Sequence, residues 1–276
     1  MTFVTFALAV AVVWVLITTL WLWRNQERVV FQPPAVVVNA PAPARRIEFR
    51  ASDGHALFGY VLDGDSERPR AVVIAFHGNA DLSAWTVPWG QELAQRAGVT
   101  VFIPEYRGYG GIPGSPTYES AASDARGALE YARTVLRAER IVLFGHSLGS
   151  AIASELALTM RPELPASLVL QSPFTSARDM ATRMLMPTIP WLWRKISRVH
   201  YNTTSAVTLL ECPVWVSHGS RDLNIPVRMG REVFAAARHP GELLVVEGAG
   251  HNDVADVGAE RYWTWLAEAV GEKRRR

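Results

Sequence analysis

The hydrophobic pattern of the chain is a series of short apolar runs separated by longer amphipathic segments. The short runs have the length of strands, and they are Ala71–Phe76, Thr100–Ile103, Arg140–Phe144, Ser167–Leu170, Val214–Ser217 and Leu243–Val246. The amphipathic segments between them include Tyr118–Leu136, Leu148–Met160, Val227–Ala237 and Ala255–Val270. Apolar strands that alternate with helices predict an α/β fold, a mainly parallel sheet with helices on both faces.

Two segments depart from this alternation. Before the first apolar run, Ile47–Arg50 and Leu57–Leu62 flank the turn signal Ser52-Asp53-Gly54, which predicts a pair of β-strands. Later, Phe174–Glu211 forms a long insert between two strands. We therefore predict one α/β domain over residues 47–276, with a short cap-like insert at residues 174–211.

The N-terminal segment Thr2–Trp23 contains no charged residue. As a helix with a rise of about 1.5 Å per residue it spans a hydrocarbon core of about 30 Å, and Trp21 and Trp23 lie where aromatic rings favour the interface. A cleaved signal peptide is the alternative, but it requires basic residues before the apolar run and a small-x-small cleavage site after it. Neither is present, so we predict an uncleaved, single-pass transmembrane helix at residues 1–24.

A proline-rich, uncharged stretch, Gln32–Pro43, follows this helix and predicts a semi-rigid tether over residues 25–46. The positive-inside rule predicts that the large domain is cytoplasmic, because four arginines follow the apolar span: Arg24, Arg28, Arg45 and Arg46.

The composition and charge of the chain bear on nucleic-acid binding, contact with lipid headgroups and disulfide formation. Among 276 residues, 49% are hydrophobic and 20% charged, and the net charge of +2 does not indicate a nucleic-acid partner. The basic cluster Lys273–Arg276 is interpreted as a solvated helix end, with contact to anionic lipid headgroups as the alternative. The single cysteine, Cys212, excludes an internal disulfide.

The clearest chemical signal is Gly145-His146-Ser147-Leu148-Gly149, between a predicted strand and a predicted helix. A sharp strand–turn–helix bend crowds the neighbours of its central residue, and glycines two positions away on each side relieve that crowding. The serine hydroxyl is then exposed above the carboxyl end of the sheet, as in the nucleophile elbow G-x-S-x-G. We therefore interpret Ser147 as a nucleophile.

A serine nucleophile needs a base, and seven histidines are available. His55 lies in a turn, His200 and His239 at expected surface positions, and His77, His146 and His218 at strand ends or in the elbow, where a packed, hydrogen-bonded role is expected. His251 follows the last strand through the glycine-containing segment Glu247–Gly250, which lets an imidazole reach back over the sheet. We therefore assign His251 as the base.

The base needs a carboxylate to hold its tautomer. When a G-x-S-x-G serine is followed by its partners, the order along the chain is serine, carboxylate, histidine. The loop after Ser167–Leu170 contains no carboxylate, whereas the loop after Val214–Ser217 contains Asp222. A helix cap near Pro226 is the structural alternative for Asp222, and its position fits both roles. Asp253 and Asp256 are close to His251 in sequence, and Asp253 is placed to cap the last helix. We assign Asp222 as the acid.

The developing oxyanion needs hydrogen-bond donors. The main-chain N–H of Leu148, next to the nucleophile, is one candidate. The second is the N–H of Asn79, in the loop His77-Gly78-Asn79-Ala80 that follows an early strand. A plain strand-to-helix turn is an equally good interpretation of that loop.

Five short segments of the chain occur in the order found in the α/β-hydrolase superfamily, from about Ile47 to the C-terminus. The chain most resembles the membrane-anchored BEM46-like group of serine hydrolases, which the N-terminal helix and Phe31-Gln32-Pro33 also resemble. The matching segments are His77–Ala80, Tyr106-Arg107-Gly108-Tyr109-Gly110, Gly145–Gly149, His218-Gly219-Ser220-Arg221-Asp222 and Gly250-His251-Asn252-Asp253. The resemblance implies hydrolysis of carboxylic esters or thioesters, in some relatives on acylated proteins.

The expected mechanism uses Ser147, Asp222 and His251 as a triad and the N–H groups of Asn79 and Leu148 as oxyanion donors, and it needs no metal or cofactor. No chemical role is expected for Arg107 and the tyrosines beside it, which are interpreted as holding their loop. Two alternatives remain: a serine peptidase of the same fold, and a non-catalytic scaffold that has kept the fold.

The insert gives a sequence signal about the length of the acyl chain that the substrate carries. It contains Trp191 and Trp193 beside Arg194 and Lys195, a combination typical of membrane interfaces, and three methionines, which pack adaptably: Met180, Met184 and Met186. One hypothesis is a cap through which medium or long acyl chains enter from the membrane. A small cap whose apolar side packs on the domain is the alternative.

Overall fold

The computed structural model of the chain describes residues 3–64, 71–185 and 197–271. Within these ranges the strands are β1 (Arg45–Arg50), β2 (Ala56–Leu62), β3 (Ala71–Phe76), β4 (Thr100–Pro104), β5 (Arg140–His146), β6 (Ser167–Gln171), β7 (Val214–Gly219) and β8 (Pro240–Val246). The helices are α1 (Phe3–Val30), α2 (Ser83–Ala97), α3 (Tyr118–Thr134), α4 (Leu148–Thr159), α5 (Ala177–Leu185), α6 (Thr203–Leu209), α7 (Val227–Ala236) and α8 (Val254–Val270).

The strands of the described residues form one sheet in the order β1-β2-β4-β3-β5-β6-β7-β8. The pairs β1–β2 and β2–β4 are antiparallel, and all the other pairs are parallel. The carboxyl ends of β3 and β5 to β8 therefore lie along one edge, where sites form in an open parallel sheet. Every residue assigned a chemical role from the sequence lies in a segment that follows one of these strand ends.

Two apolar layers cover the two faces of the sheet. Along β3, Val72, Ile74 and Phe76 pack on one face with residues of α3, α4 and α7. Val73 and Ala75 pack on the other face with residues of α2 and α8. Because successive side chains of a strand point to opposite faces, a strand buried on both sides has the continuous apolar sequence seen here.

The predicted α/β-hydrolase fold is confirmed, and the four predicted helices agree with α3, α4, α7 and α8 within two residues at each end. The predicted strands agree with β3 to β8 within three residues at each end; the largest difference is at β8, whose first three residues are exposed and carry no apolar pattern. Helix α2 was not predicted. It contains Pro88 and Gly90, and its N-cap residue Leu82 provides no side-chain hydrogen bond, so the usual start signals are absent.

Helix α1 continues six residues past the predicted end of the anchor at Arg24 and ends at Val30. Its segment Phe3–Trp21, 19 residues, is long and apolar enough to cross a bilayer, and none of it is buried against the rest of the protein. The last turns differ, because Gln26 is 1% exposed and Phe31, the next residue after the helix, is 3% exposed. Residues 25–30 thus belong to a helix end packed on the domain, and residues 31–44 of the predicted tether contain neither helix nor strand.

The described part of the insert contains two short helices that were not predicted, α5 and α6. Helix α6 packs against α4 and α7 on one face of the sheet. Trp191, Trp193, Arg194, Lys195 and Met186, on which the membrane-entry hypothesis depends, lie outside the described residues, as does the basic cluster Lys273–Arg276.

Candidate active site

Ser147 lies on a tight turn between β5 and α4, where it is the N-cap residue of the helix. Its φ of 54° and ψ of −116° are unusual for a residue with a side chain, and such a conformation costs about 1–3 kcal/mol. The two glycines are required by close approach: a Cβ on Gly145 would overlap the carbonyl of Gly149, and a Cβ on Gly149 would overlap the carbonyl of Phe76. The turn therefore holds the Ser147 side chain at the edge of the sheet.

His251 reaches Ser147 from the loop between β8 and α8. Its Nε2 lies 3.0 Å from the Ser147 Oγ. The loop turns at Gly248, with a φ of 84°, and the Gly250 N–H donates to the Asp253 Oδ1 at 2.6 Å. Asp253, suggested as a cap of the last helix, makes no side-chain capping bond there; it shapes the His251 loop instead.

Asp222 follows β7 and lies behind His251, with its side chain fully buried. Its Oδ2 accepts a hydrogen bond from His251 Nδ1 at 2.7 Å, and its Oδ1 accepts from the main-chain N–H groups of Asn224 and Ile225 at 2.9 and 2.8 Å. Burial alone would raise the pKa of Asp222, but hydrogen bonds from His218, His251 and Ile225 outweigh burial and hold that pKa well below its usual range. Asp222 is therefore ionised at any ordinary pH.

The ionised carboxylate determines which nitrogen of His251 carries the proton. Because the Asp222 Oδ2 can only accept, the His251 Nδ1 must be the N–H, and Nε2 is left with a lone pair that faces the Ser147 hydroxyl. This arrangement can withdraw a proton from Ser147 as its oxygen attacks an electrophilic carbon. The structure thus brings together the three residues that the sequence assigned to nucleophile, base and acid.

His146, within the elbow, is held by a main-chain contact. Its Nε2 donates to the main-chain carbonyl of His251 at 3.2 Å. Burial, together with the nearby His251, lowers the pKa of His146 to about 3, so this ring is neutral. A structural role is thus supported for His146, as it is for the fully buried His218, whose Nε2 donates to the Ile225 carbonyl at 2.8 Å.

Sequence reasoning missed a buried carboxylate, Glu105, beneath the loop that follows β3. Its Oε1 lies 2.8 Å from His77 Nε2, and its Oε2 accepts from the N–H and the hydroxyl of Ser83 at 3.0 and 2.8 Å. Burial alone would lower the pKa of His77, but Glu105 reverses the shift and raises it. An acidic residue directly after a strand was the available signal.

The loop Gly78–Asn79 lies beside the serine. A Cβ added at Gly78 would lie 3.4 Å from the Ser147 Cβ, and Asn79 and Leu148 line the same cavity as Ser147. Leu148 is the first residue of α4, so its N–H belongs to the helix terminus where such groups are free of intrahelical bonds. The two residues assigned to the oxyanion are thus brought to the nucleophile; the donor role of their N–H groups stays a prediction.

Arg107 holds its loop rather than lining the cavity. Its guanidinium pairs with Asp124 and with Asp53, and its main-chain N–H donates to the Asp124 Oδ2 at 3.0 Å. The Tyr106 hydroxyl donates to the His77 carbonyl at 3.0 Å. Both contacts agree with the structural interpretation of these residues.

A cavity of about 1400 Å³ opens in front of Ser147. Much of its lining is apolar: Val29, Val30, Trp85, Trp89, Phe174, Met180 and Ile225. Leu223 at its rim is 85% exposed. In the described residues there is no cluster of three or more His, Cys, Asp or Glu side chains suited to a metal ion. The cavity therefore has room for an apolar group next to the Ser147 hydroxyl.

Comparison with known proteins agrees with this description. A family model described as serine aminopeptidase, S33, matches residues 67–206. An uncharacterised protein of Mycobacterium tuberculosis, Rv2307c, is 34% identical over 241 residues, which cover 85% of this chain and 83% of that protein. The protein bem46 of Schizosaccharomyces pombe is 31% identical over 172 residues, 58% of this chain and 57% of that protein, so the resemblance to BEM46-like proteins is confirmed.

Among solved structures, the esterase Pf2001 of Pyrococcus furiosus superposes with a TM-score of 0.69. The match covers 87% of this chain and 97% of the esterase at 18% identity, so it shows a shared fold.

Proposed function

Since this chain belongs to the α/β-hydrolase family, we propose that it is a membrane-anchored serine hydrolase that cleaves carboxylic ester or thioester bonds. The observation that carries the proposal is the hydrogen-bonded series Ser147–His251–Asp222 at the base of a cavity with much apolar lining. The esterases among proteins of similar fold support it.

In the proposed mechanism, the Ser147 Oγ attacks the acyl carbonyl carbon while His251 Nε2 takes the hydroxyl proton. The negative charge that develops on the carbonyl oxygen is bound by the N–H groups of Leu148 and Asn79. His251 then protonates the leaving alcohol or thiol, which departs and leaves an acyl-serine. A water that loses its proton to His251 attacks this ester and releases the carboxylic acid, and the proton returns to Ser147.

The apolar lining favours a medium or long acyl chain over an acetyl group, because each buried methylene contributes about 0.8 kcal/mol to binding. The cavity lies at the end of α1, whose outer segment is able to cross a bilayer. A lipid or an acylated protein at the membrane surface fits both features. The arginines that follow the apolar span favour a cytoplasmic domain, which protease accessibility in intact cells would test.

A serine aminopeptidase is the second candidate, because the matching family model bears that description. Turnover of p-nitrophenyl acetate, butyrate and decanoate, compared with aminoacyl p-nitroanilides, separates the two functions. The proposal predicts turnover of the esters, with the highest kcat/KM for decanoate, and no release of p-nitroaniline. Hydrolysis of the anilides alone would assign the site to peptide chemistry, and a folded protein inactive on both series would favour a non-catalytic scaffold.

A further inference from the structure

The C-terminal end of α1, next to the domain, is part of the wall of the candidate active site. Val29, Val30 and Gln32 line the same cavity as Ser147, although they precede it by more than a hundred residues. Phe31, between them, is 3% exposed and packs in the same core cluster as Tyr109 and Leu148. The segment therefore does more than connect a membrane helix to a domain.

A second contact fixes this end of the helix from the side of the insert. The Gln26 Oε1 accepts a hydrogen bond from the main-chain N–H of Arg198 at 2.6 Å. The Arg198 guanidinium lies 3.7 Å from the Glu27 carboxylate and donates to the Trp23 carbonyl at 3.1 Å. The last two turns of α1 are thus attached on one side to Arg198, within the insert, and on the other to the core.

The contact that bears on chemistry joins Gln32 to Asn79. The main-chain N–H of Gln32 donates to the Asn79 Oδ1 at 2.7 Å, and the hydroxyl of the fully buried Tyr109 donates to the same oxygen at 3.0 Å. An N–H can only donate, so the accepting atom must be the amide oxygen and the side chain of Asn79 has one orientation. Two donors from different parts of the chain therefore hold one side chain in the loop beside Ser147.

We propose that Gln32 is a positioning residue: its main-chain N–H, together with the Tyr109 hydroxyl, holds Asn79 so that the main-chain N–H of Asn79 points to the oxyanion. The inference rests on the proposed function. The inner side of the same loop is held by the His77–Glu105 pair, whereas Asn79 is only partly buried and depends on these two hydrogen bonds. The end of the membrane helix thereby becomes a support of the catalytic loop.

The test compares Gln32→Pro with Gln32→Ala in the full-length protein in detergent. Proline removes the main-chain N–H, whereas alanine removes only the side chain and is the matched control. Because proline also restricts Phe31, a second variant carries the α-hydroxy analogue of glutamine at position 32, which replaces the N–H by an ester oxygen. Thermal unfolding checks that each variant is folded.

Two readouts distinguish positioning from general damage. For p-nitrophenyl butyrate we expect Gln32→Pro and the ester variant to lower kcat about tenfold with KM unchanged. This loss is smaller than the ~100-fold or more that removal of an oxyanion donor costs, because the Asn79 N–H is displaced and not removed. Butylboronic acid forms a tetrahedral adduct with the serine, and its affinity should fall in parallel with kcat. Gln32→Ala keeps the main-chain N–H and loses only the side chain, whose Nε2 donates to the Val29 carbonyl, so its kcat and its boronate affinity should be several-fold higher than those of Gln32→Pro and the ester variant.

The Asn79→Ala background completes the test, because it removes the acceptor through which Gln32 acts. In that background, adding Gln32→Pro or Tyr109→Phe should cause no further loss of kcat. If the residues acted independently, the fold-losses of the single variants would instead multiply in the double variant. Equal behaviour of Gln32→Ala, Gln32→Pro and the ester variant, or losses that multiply with Asn79→Ala, would overturn the positioning role. Those results leave ester hydrolysis intact; a wild-type chain that neither hydrolyses the butyrate nor binds the boronate would instead overturn the proposed function.

Discussion

The floor and the wall of the candidate site are built in different ways. The floor consists of Ser147, Asp222 and His251, each in the segment that follows a strand of the parallel sheet, and each is marked by a short local motif. The wall includes the end of α1 and the residues just after it, where the Gln32 N–H donates to the Asn79 side chain across 47 positions of sequence. The difference teaches that short motifs locate the proposed reacting groups, while the wall around them depends on long-range packing.

The largest expected effect lies in the floor. Asp222→Asn should lower kcat about 10⁴-fold, because an amide at this position no longer selects the Nδ1–H tautomer of His251. Asp253→Asn is the matched control: its oxygen can still accept the Gly250 N–H, so the His251 loop keeps its shape and activity is largely retained. Initial rates on p-nitrophenyl butyrate measure both. Equal losses, or a larger loss at Asp253, would reassign the acid.

A smaller effect is expected in the wall. Val29→Trp fills part of the cavity, so kcat/KM for p-nitrophenyl decanoate should fall about tenfold or more, while the acetate is spared. Val257→Trp, at an exposed position on α8 outside that cavity, is the control for the substitution itself. If Val29→Trp lowered acetate and decanoate turnover alike, the end of α1 would not contribute to selection of substrates by the length of their acyl chain.

The smallest effect on chemistry is expected from the outer part of α1. Deletion of residues 2–20 leaves Trp23, Gln26 and Glu27 with their contacts to Arg198. Turnover of the soluble substrate p-nitrophenyl acetate should therefore be unchanged. Turnover of a long-chain ester in phospholipid vesicles should fall, because the enzyme is no longer concentrated at the bilayer. A folded truncated protein that has lost acetate turnover would contradict the division of α1 into an outer anchor and an inner wall.

What the sequence could predict follows the same division. The strands were predicted because a strand buried on both faces is apolar throughout, as Ala71–Phe76 is. The floor was predicted because each of its residues follows such a strand within a few positions. Glu105 was passed over although it follows β4 directly, because its partner His77 lies on another strand end.

Other features had no local signal. The packing of Phe31 and the Gln32–Asn79 hydrogen bond depend on where the chain returns in space, and a proline-rich neighbourhood suggested a tether instead. Helix α2 was missed because Pro88 and Gly90 weaken its propensity, while burial of Val87 and Leu93 stabilises it. Tertiary packing, which no window of sequence contains, decided each of these cases.

The central claim is that His251 activates Ser147 as a nucleophile. Its most direct test is labelling of the full-length protein by a fluorophosphonate probe, followed by mass spectrometry of the modified peptide. The account predicts one adduct, on Ser147, which is absent in Ser147→Ala and forms far more slowly in His251→Ala, with each variant folded. A folded wild-type protein that stays unlabelled, or a label that persists in Ser147→Ala, would contradict it.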